Sequence, residues 1–280
     1  MHLTSGSATH VPGGTRAWAR LKTPQPRGLV FIPPLIGGSA GGTFGRFRWL
    51  ARSGFDLFSF DYAGHGRSGG AFSLGGSMAD SRRMLRIAAD QAAGDKLPLY
   101  GAAACYGAIP LVSSTYFLGE PLKRAILLNP VPDFSVGAIV SGFRRWSIED
   151  AAEGAPAGRW SRIRQYLDRL FPLTEKGMHG FGLLRRHRTR LVKTLLEAIH
   201  FAPLQTLRLR QTPVLCLYAR RDVVRQAAGY ACERAYRRRV SDFCPGARFY
   251  AVDDDHYLAT ARARRVVRER MRDFLMHSGG

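Results

Sequence analysis

Three residue types that together can transfer an acyl group stand at separate points of the chain: Cys105, Asp222 and His256. A thiol attacks an acyl carbon once an imidazole has taken its proton, and a carboxylate fixes the tautomer of that imidazole and stabilises its protonated form. Nucleophile, acid and histidine follow one another in an order that is known for such triads. The sequence therefore predicts a Cys–His–Asp triad that works through an acyl-enzyme intermediate.

The residues around Cys105 are typical of the sharp turn that exposes a nucleophile between a strand and a helix. Residues 97–110, LPLYGAAACYGAIP, give an apolar strand, a run of small residues and then a helical pattern. Small residues are needed two positions before and after the nucleophile, because larger ones would clash with the neighbouring strand and helix. Here they are Ala103 and Gly107. The alternative is an ordinary buried cysteine in a strand-to-helix turn.

The other two triad positions follow predicted strands. Asp222 comes after the apolar run 213–218, and His256 comes after the last apolar run, inside DDDHY. Asp133, in NPVPD after the preceding strand, is the alternative acid, and position favours Asp222. His65, in GHGRS, is interpreted as a structural residue of a turn.

The elements that must position these residues alternate along the chain. Continuous apolar strands between helical patterns predict an α/β fold with a mostly parallel sheet covered on both faces. Strands are predicted over 28–32, 55–60, 97–102, 125–128, 213–218 and 247–252, and helices over 47–52, 78–93, 109–117, 226–239 and 261–276.

One long segment interrupts this alternation. Between 134 and 209 no strand pattern alternates with the helical ones, and the segment is rich in Arg and aromatic residues. We therefore expect a core made of residues 1–133 and 210–280, with a helical cap over 134–209. A cap at the carboxyl ends of the strands would exclude water from the site.

Several motifs resemble those of the α/β-hydrolase superfamily. They are VFIPPLIGGSA after the third strand, FDYAGHGRSGG after the fourth, AACYGA at the nucleophile, PVLCLYARRD before the acid and AVDDDHYLA at the histidine. The cysteine nucleophile is similar to that of dienelactone hydrolases, whereas the two alanines before it and GHGRSGG look more like bacterial acyl thioesterases. The resemblance implies the α/β-hydrolase fold and an oxyanion hole made by the backbone N–H groups of Tyr106 and Leu35.

The resemblance implies a hydrolase or acyltransferase that acts on an acyl thioester, ester or lactone, thioesterase-like in acyl or polyketide metabolism. The chain departs from the family pattern at Ala103, usually Gly, at Cys105, usually Ser, and at Pro33–Pro34, where a His-Gly pair is common. These departures support an alternative, an inactive hydrolase-fold protein that binds a small ligand or an acidic partner. They also leave open whether Cys105 replaces a natural Ser.

The charge of the chain is strongly positive. Lys and Arg number 42 against 21 acidic residues, which gives a net charge of +21. Such a field attracts polyanions, and we expect an acyl substrate presented by an acidic acyl-carrier protein or by CoA. A codon usage that favours Arg would explain the charge equally well. No nucleic-acid motif, phosphate-binding glycine motif or metal-ligand spacing is present, so neither specific nucleic-acid binding nor a cofactor is predicted.

The remaining sequence features point to a reducing compartment. The 4 cysteines show no CxxC spacing, and Cys216 lies in an apolar strand while Cys232 lies in a predicted polar helix. Neither a signal-peptide-like start nor an apolar run of membrane-spanning length is found. We expect a cytoplasmic protein, and the sequence gives no oligomeric state.

Overall fold

The structure, a computed structural model, describes residues 1–8, 14–132, 137, 140–144, 147, 197, 204 and 206–276. These residues form an 8-stranded sheet in the order β1-β2-β4-β3-β5-β6-β7-β8. The strands are β1 His2–Ala8, β2 Arg16–Lys22, β3 Leu29–Phe31, β4 Asp56–Phe60, β5 Leu99–Ala104, β6 Arg124–Leu128, β7 Val214–Arg221 and β8 Arg248–Asp255. The helices are α1 Ala40–Arg52, α2 Leu74–Gly94, α3 Ala108–Phe117, α4 Val223–Ala227, α5 Glu233–Phe243 and α6 Ala261–Met276.

The six strands from β3 onward run parallel, and helices cover both faces of the sheet. Helices α1 and α6 pack on one face, in a cluster with Val30 and Ile32. Helices α2, α3 and α5 pack on the other, with Leu29 and Phe31. The predicted α/β class with a mostly parallel, doubly covered sheet is confirmed.

Sequence reasoning missed the two N-terminal strands, which pair antiparallel with each other and with β4. β1 lies at the sheet edge and has no apolar run, so it lacks the signal that identified the other strands. β2 contains two buried arginines that make it look polar. Arg16 Nε lies 2.8 Å from Asp80 Oδ1, and Arg20 Nη2 lies 2.6 Å from Asp56 Oδ2. These pairs compensate for the burial of the charges.

The helix predicted over 226–239 is wrong. The chain forms α4 and α5 there, separated by residues 228–232, where Gly229 takes a φ of 89° that ends a helical turn. Cys232 therefore lies at the N-cap of α5, outside the helix. Helix α1 also begins earlier than predicted, at Ala40.

The predicted cap over 134–209 lies outside the described residues, apart from positions 137, 140–144, 147, 197, 204 and 206–209. Within the part of the chain that the structure describes, no helix has the length and apolar character needed to cross a membrane.

Candidate active site

Cys105 lies at the carboxyl end of β5, where it opens a single 3₁₀ turn, Cys105–Gly107, that leads directly into α3. Its φ of 49° falls in the left-handed region that residues with a side chain rarely adopt. Such strain is held in place by surrounding structure and is concentrated at functional sites. Cys105 is half-buried, and its carbonyl oxygen accepts a hydrogen bond from the Val131 N–H at 3.3 Å.

Gly107 allows the turn to approach the loop that follows β3. A Cβ atom added to Gly107 would lie 2.9 Å from the carbonyl oxygen of Pro33 and 3.7 Å from the Cβ of Ala103. The φ of Gly107 is −56°, which any residue can adopt, so the requirement for glycine here is steric. This close approach brings the loop after β3, which contains Leu35, next to the turn that contains Cys105.

His256 and Asp222 are joined by a hydrogen bond of 2.9 Å between His256 Nδ1 and Asp222 Oδ1. Asp222 is the N-cap of α4, and the same oxygen accepts the Arg225 N–H at 2.9 Å. Both side chains are buried. Since Nδ1 is engaged by the carboxylate, Nε2 is the ring nitrogen left for Cys105, which acts on the pKa of His256. The structure thus brings Cys105, His256 and Asp222 into one chain of contacts.

The pKa of His256 is raised to about 10. Burial alone would lower it, but the negative charge of Cys105, the hydrogen bonds to Asp222 and Cys105 and the charge of Asp222 outweigh burial. The imidazole therefore carries its proton at neutral pH when it faces a Cys105 thiolate. A positive charge on His256 would favour the thiolate form of Cys105.

Asn129 supports His256, and sequence reasoning missed it. It follows β6 with a φ of 45°, a conformation that Asn tolerates better than most residues. Its Nδ2 donates to the His256 carbonyl at 2.8 Å, and its Oδ1 accepts the Ala219 N–H at 2.7 Å. An Asn directly after an apolar strand, as in LLNP, was the available signal. Asp133 lies outside the described residues.

The two residues expected to form the oxyanion hole come from the turn that contains Cys105 and from the loop after β3. Tyr106 follows Cys105 in the 3₁₀ turn, and its buried phenol, 2.7 Å from Ser77 Oγ, has a pKa raised by burial. Leu35 lies between β3 and α1 and borders a pocket of about 50 Å³ that also touches Ala104. The lining of this pocket is Pro33, Leu35, Gly38, Gly42, Thr43, Arg46, Phe47 and Ala104.

Arg46 brings a positive charge to this side of the site. It lines the pocket, and its charge acts on Tyr257, the residue after His256. The pKa of Tyr257 is raised to about 12, first by burial and then by Cys105, Asp255 and Asp222, while Arg46 opposes the shift. The charges of Cys105 and Arg46 therefore both act on the phenol of Tyr257. Among the described residues no group of His, Cys, Asp and Glu is suited to hold a metal ion.

The sheet order and the strained turn after β5 define the α/β-hydrolase fold, and comparison with solved structures agrees. The fold matches a soluble variant of monoglyceride lipase from Saccharomyces cerevisiae, crystallised with a substrate analog, with a TM-score of 0.62 and 13% identity over 97% of this chain and 94% of that one. It also matches the thioesterase domain of the curacin biosynthetic pathway, with a TM-score of 0.59 and 15% identity over 95% and 98%.

A third match is an alpha-beta serine hydrolase homologue from Coxiella burnetii, with a TM-score of 0.55 and 13% identity over 97% of each chain. No family model matches the chain. No curated protein matches it in sequence. At these identities the likeness establishes the fold.

Proposed function

We propose that the protein is a hydrolase or acyltransferase that acts on an acyl thioester, ester or lactone, with Cys105 as nucleophile, His256 as general acid and base, and Asp222 as the acid of the triad. The observation that carries the proposal is the strained φ of 49° at Cys105 together with the contact of this thiol with His256. Strained backbone is concentrated at functional sites, and a histidine beside the thiol favours covalent chemistry over binding alone. The chemistry is thioesterase-like.

In the first step the Cys105 thiolate attacks the acyl carbon. The C–S bond to Cys105 forms, and the negative charge moves onto the carbonyl oxygen, which the N–H groups of Tyr106 and Leu35 stabilise. When the oxygen charge returns to the carbon, the bond to the leaving group breaks. The leaving group takes the proton from His256 Nε2, so the products are the acyl-enzyme and a neutral thiol or alcohol.

In the second step water, or another hydroxyl or thiol acceptor, attacks the acyl carbon. His256 takes the proton of the attacking group, and the C–S bond to Cys105 breaks to restore the thiolate–imidazolium pair. Asp222 stabilises the imidazolium in both steps and keeps Nδ1 protonated through the 2.9 Å hydrogen bond. Water completes hydrolysis, whereas another acceptor gives acyl transfer.

The activities for which several structural neighbours are named support an acyl substrate. They include a monoglyceride lipase, a lipase in its open form, an esterase from Pyrococcus furiosus and a thioesterase domain. Each of these names describes a protein that cleaves an ester or a thioester. A thiol nucleophile suits thioesters and activated lactones, since their leaving groups depart more readily than an amine.

The substrate is proposed to arrive on an acidic acyl-carrier protein or on CoA. Both carry phosphate, and Arg46 lines the pocket beside Leu35 and Ala104. Helices α1 and α6 lie on one face of the sheet and expose many further arginines, which would attract such a carrier. Besides Arg46 they are Arg48, Arg52, Arg262, Arg264, Arg265, Arg268, Arg270 and Arg272. A reducing compartment such as the cytoplasm would keep the nucleophile as a thiol.

Intact-protein mass spectrometry after mixing with butyryl-N-acetylcysteamine tests the proposal. We expect one butyryl group on Cys105 during turnover, together with release of N-acetylcysteamine. Cys105→Ala should give neither signal, while Cys232→Ala, which removes an exposed cysteine, should behave as the wild type. The proposed function is wrong if no acyl group is found on Cys105, no thiol is released from this thioester or from a CoA thioester, and no p-nitrophenol is released from p-nitrophenyl butyrate.

A further inference from the structure

A buried histidine, His65, connects the loop that contains Leu35 to the turn after β4 through a hydrogen bond. The Gly37 N–H donates a hydrogen bond of 2.9 Å to His65 Nε2. The other ring nitrogen, His65 Nδ1, lies 3.1 Å from the Ala63 carbonyl oxygen. His65 is 5% exposed. The histidine therefore connects two loops 28 residues apart in sequence.

The two contacts fix the protonation state of this ring. A backbone N–H can only donate, so Nε2 must be an unprotonated acceptor, and a carbonyl can only accept, so Nδ1 must carry the hydrogen. The neutral Nδ1–H tautomer satisfies both contacts. Tyr62 and Phe72 hold the ring from its sides, with centroids 5.9 and 4.9 Å from that of His65.

A second contact holds the same loop at its other end. Asp61 Oδ1 accepts the Ala40 N–H, at the first residue of α1, at 2.7 Å, and Asp61 Oδ2 accepts the Arg67 N–H at 2.9 Å. Gly66 permits this arrangement, since a Cβ atom there would lie 2.3 Å from Asp61 Oδ2. The turn 61–68 thus binds the loop on both sides of residues 38 and 39.

The geometry points to His65 as a positioning residue that fixes the peptide of Gly37 and, through it, the direction of the Leu35 N–H. Leu35 and Gly38 close a tight turn with a 2.9 Å hydrogen bond from the Gly38 N–H to the Leu35 carbonyl, and Gly37 inside that turn has a φ of 79°. A rotation of the Gly37 peptide would rotate the whole turn. This inference rests on the proposed function, because it gives the turn a role in stabilising the oxyanion.

Both ring nitrogens of His65 contact backbone groups, so its proposed role concerns the oxyanion hole, and two reactions of Cys105 can separate this role from an effect on the thiol. Acyl transfer needs the oxyanion hole, whereas alkylation of Cys105 by iodoacetamide passes through no oxyanion and needs only the thiolate and His256. Loss of His65 should therefore slow the first reaction and spare the second. Removing a single oxyanion-hole donor costs about 100-fold or more in kcat, and a misdirected donor should cost about 10- to 100-fold.

The variants are His65→Ala, His65→Gln and, as a matched control, Ser68→Ala. Gln retains an oxygen that can accept from Gly37, whereas Ser68 lies in the same turn but bonds to the Asp61 carbonyl and the Ala17 N–H. For His65→Ala we expect a fall in kcat of about 10- to 100-fold with KM changed less than about 3-fold, and unchanged alkylation of Cys105. His65→Gln should recover part of kcat, and Ser68→Ala should keep it.

Hydrogen exchange separates this inference from the proposed function. Amide exchange over residues 35–38 should accelerate in His65→Ala and stay slow in Ser68→Ala, whatever reaction the protein performs. If the wild type transfers no acyl group but exchange behaves as expected, the proposed function fails and the contact role of His65 stands. If His65→Ala keeps its kcat, loses alkylation in parallel or leaves exchange over 35–38 unchanged, the positioning role is overturned.

Discussion

Two cysteines of the sheet region, Cys105 and Cys216, have the same side chain in opposite environments. Cys216 lies within β7, is fully buried and hydrogen-bonds with Tyr236, and burial raises the pKa of its thiol to about 12. Cys105 follows the last residue of β5, is half-buried and faces His256. A thiol in the middle of a strand is a packing group, whereas one just past the carboxyl end can face a histidine from another strand.

The difference begins in the backbone. Cys216 has regular strand neighbours on both sides, pairing across from Leu127 and Phe249. Cys105 has a φ of 49°, which points its side chain away from the direction that a continued strand would give it. The strained turn therefore removes Cys105 from the core, and the end of β8 supplies His256 to meet it.

The largest expected effect is a loss of activity when Cys105 is replaced, which should not occur when Cys216 is replaced. Cys105→Ala should lower kcat/KM for a thioester by at least about 1,000-fold, because the nucleophile is removed. Cys216→Ala should change kcat/KM less than about 2-fold and lower the free energy of unfolding by about 1 kcal/mol through lost packing. Steady-state kinetics and urea unfolding of both variants provide the measurement. Equal activity losses in the two variants would show that Cys105 has no special role.

The next effect depends on pH. Because the pKa of His256 is raised to about 10, the imidazolium beside Cys105 persists below that pH and is lost as the pH rises through it. The imidazolium favours the thiolate form of the neighbouring thiol, so iodoacetamide should alkylate Cys105 faster in the wild type than in His256→Asn. At pH 7 the rate in His256→Asn should be slower than in the wild type by up to about 30-fold, and the difference should shrink as the pH rises.

Mass spectrometry should locate the iodoacetamide adduct on Cys105. Cys216 and Cys244 should remain unmodified in the native protein. Burial raises the pKa of both of these thiols, so neither supplies a thiolate at neutral pH. Parallel pH profiles for wild type and His256→Asn would contradict the ion pair. Asp222→Asn tests the acid in the same assay, since it leaves the histidine in place but removes the charge that stabilises its protonated form.

The apolar runs of the sequence predict both the fold and the proximity of Cys105, Asp222 and His256. All three follow apolar runs that became β5, β7 and β8, and carboxyl ends of neighbouring parallel strands meet at one edge. Asn129 had a signal in the sequence, its position directly after an apolar strand, and this signal was missed. The contact of His65 with Gly37 could not be predicted, since it depends on which backbone groups face each other across loops. β2 was missed because its buried Arg16 and Arg20 are paired only in the folded chain.

A smaller effect, on KM, is expected from Arg46, which lines the pocket next to Ala104. Arg46 and Arg48 are exposed residues of α1, but only Arg46 is among the described lining of the pocket. Arg46→Ala should raise KM for a CoA thioester by about 3- to 10-fold and leave an N-acetylcysteamine thioester nearly unchanged, since one exposed contact to phosphate is weakened. Arg48→Ala loses the same charge and serves as the control. Equal effects of both variants would assign the role to the general charge of the face.

The smallest expected effect is the difference in stability between a glycine and an alanine variant at the same position, which tests the backbone difference directly. This difference should have opposite signs at positions 105 and 216. At position 105 glycine relieves the left-handed strain, so Cys105→Gly should be more stable than Cys105→Ala by about 1 kcal/mol. At position 216 glycine loosens a strand and leaves a larger void, so Cys216→Gly should be less stable than Cys216→Ala by about 1 kcal/mol. Comparing glycine with alanine at each site cancels the loss of the sulfur. Urea unfolding of the four variants measures both differences, and alanine proving the more stable at position 105 would mean that the turn at Cys105 stores no strain.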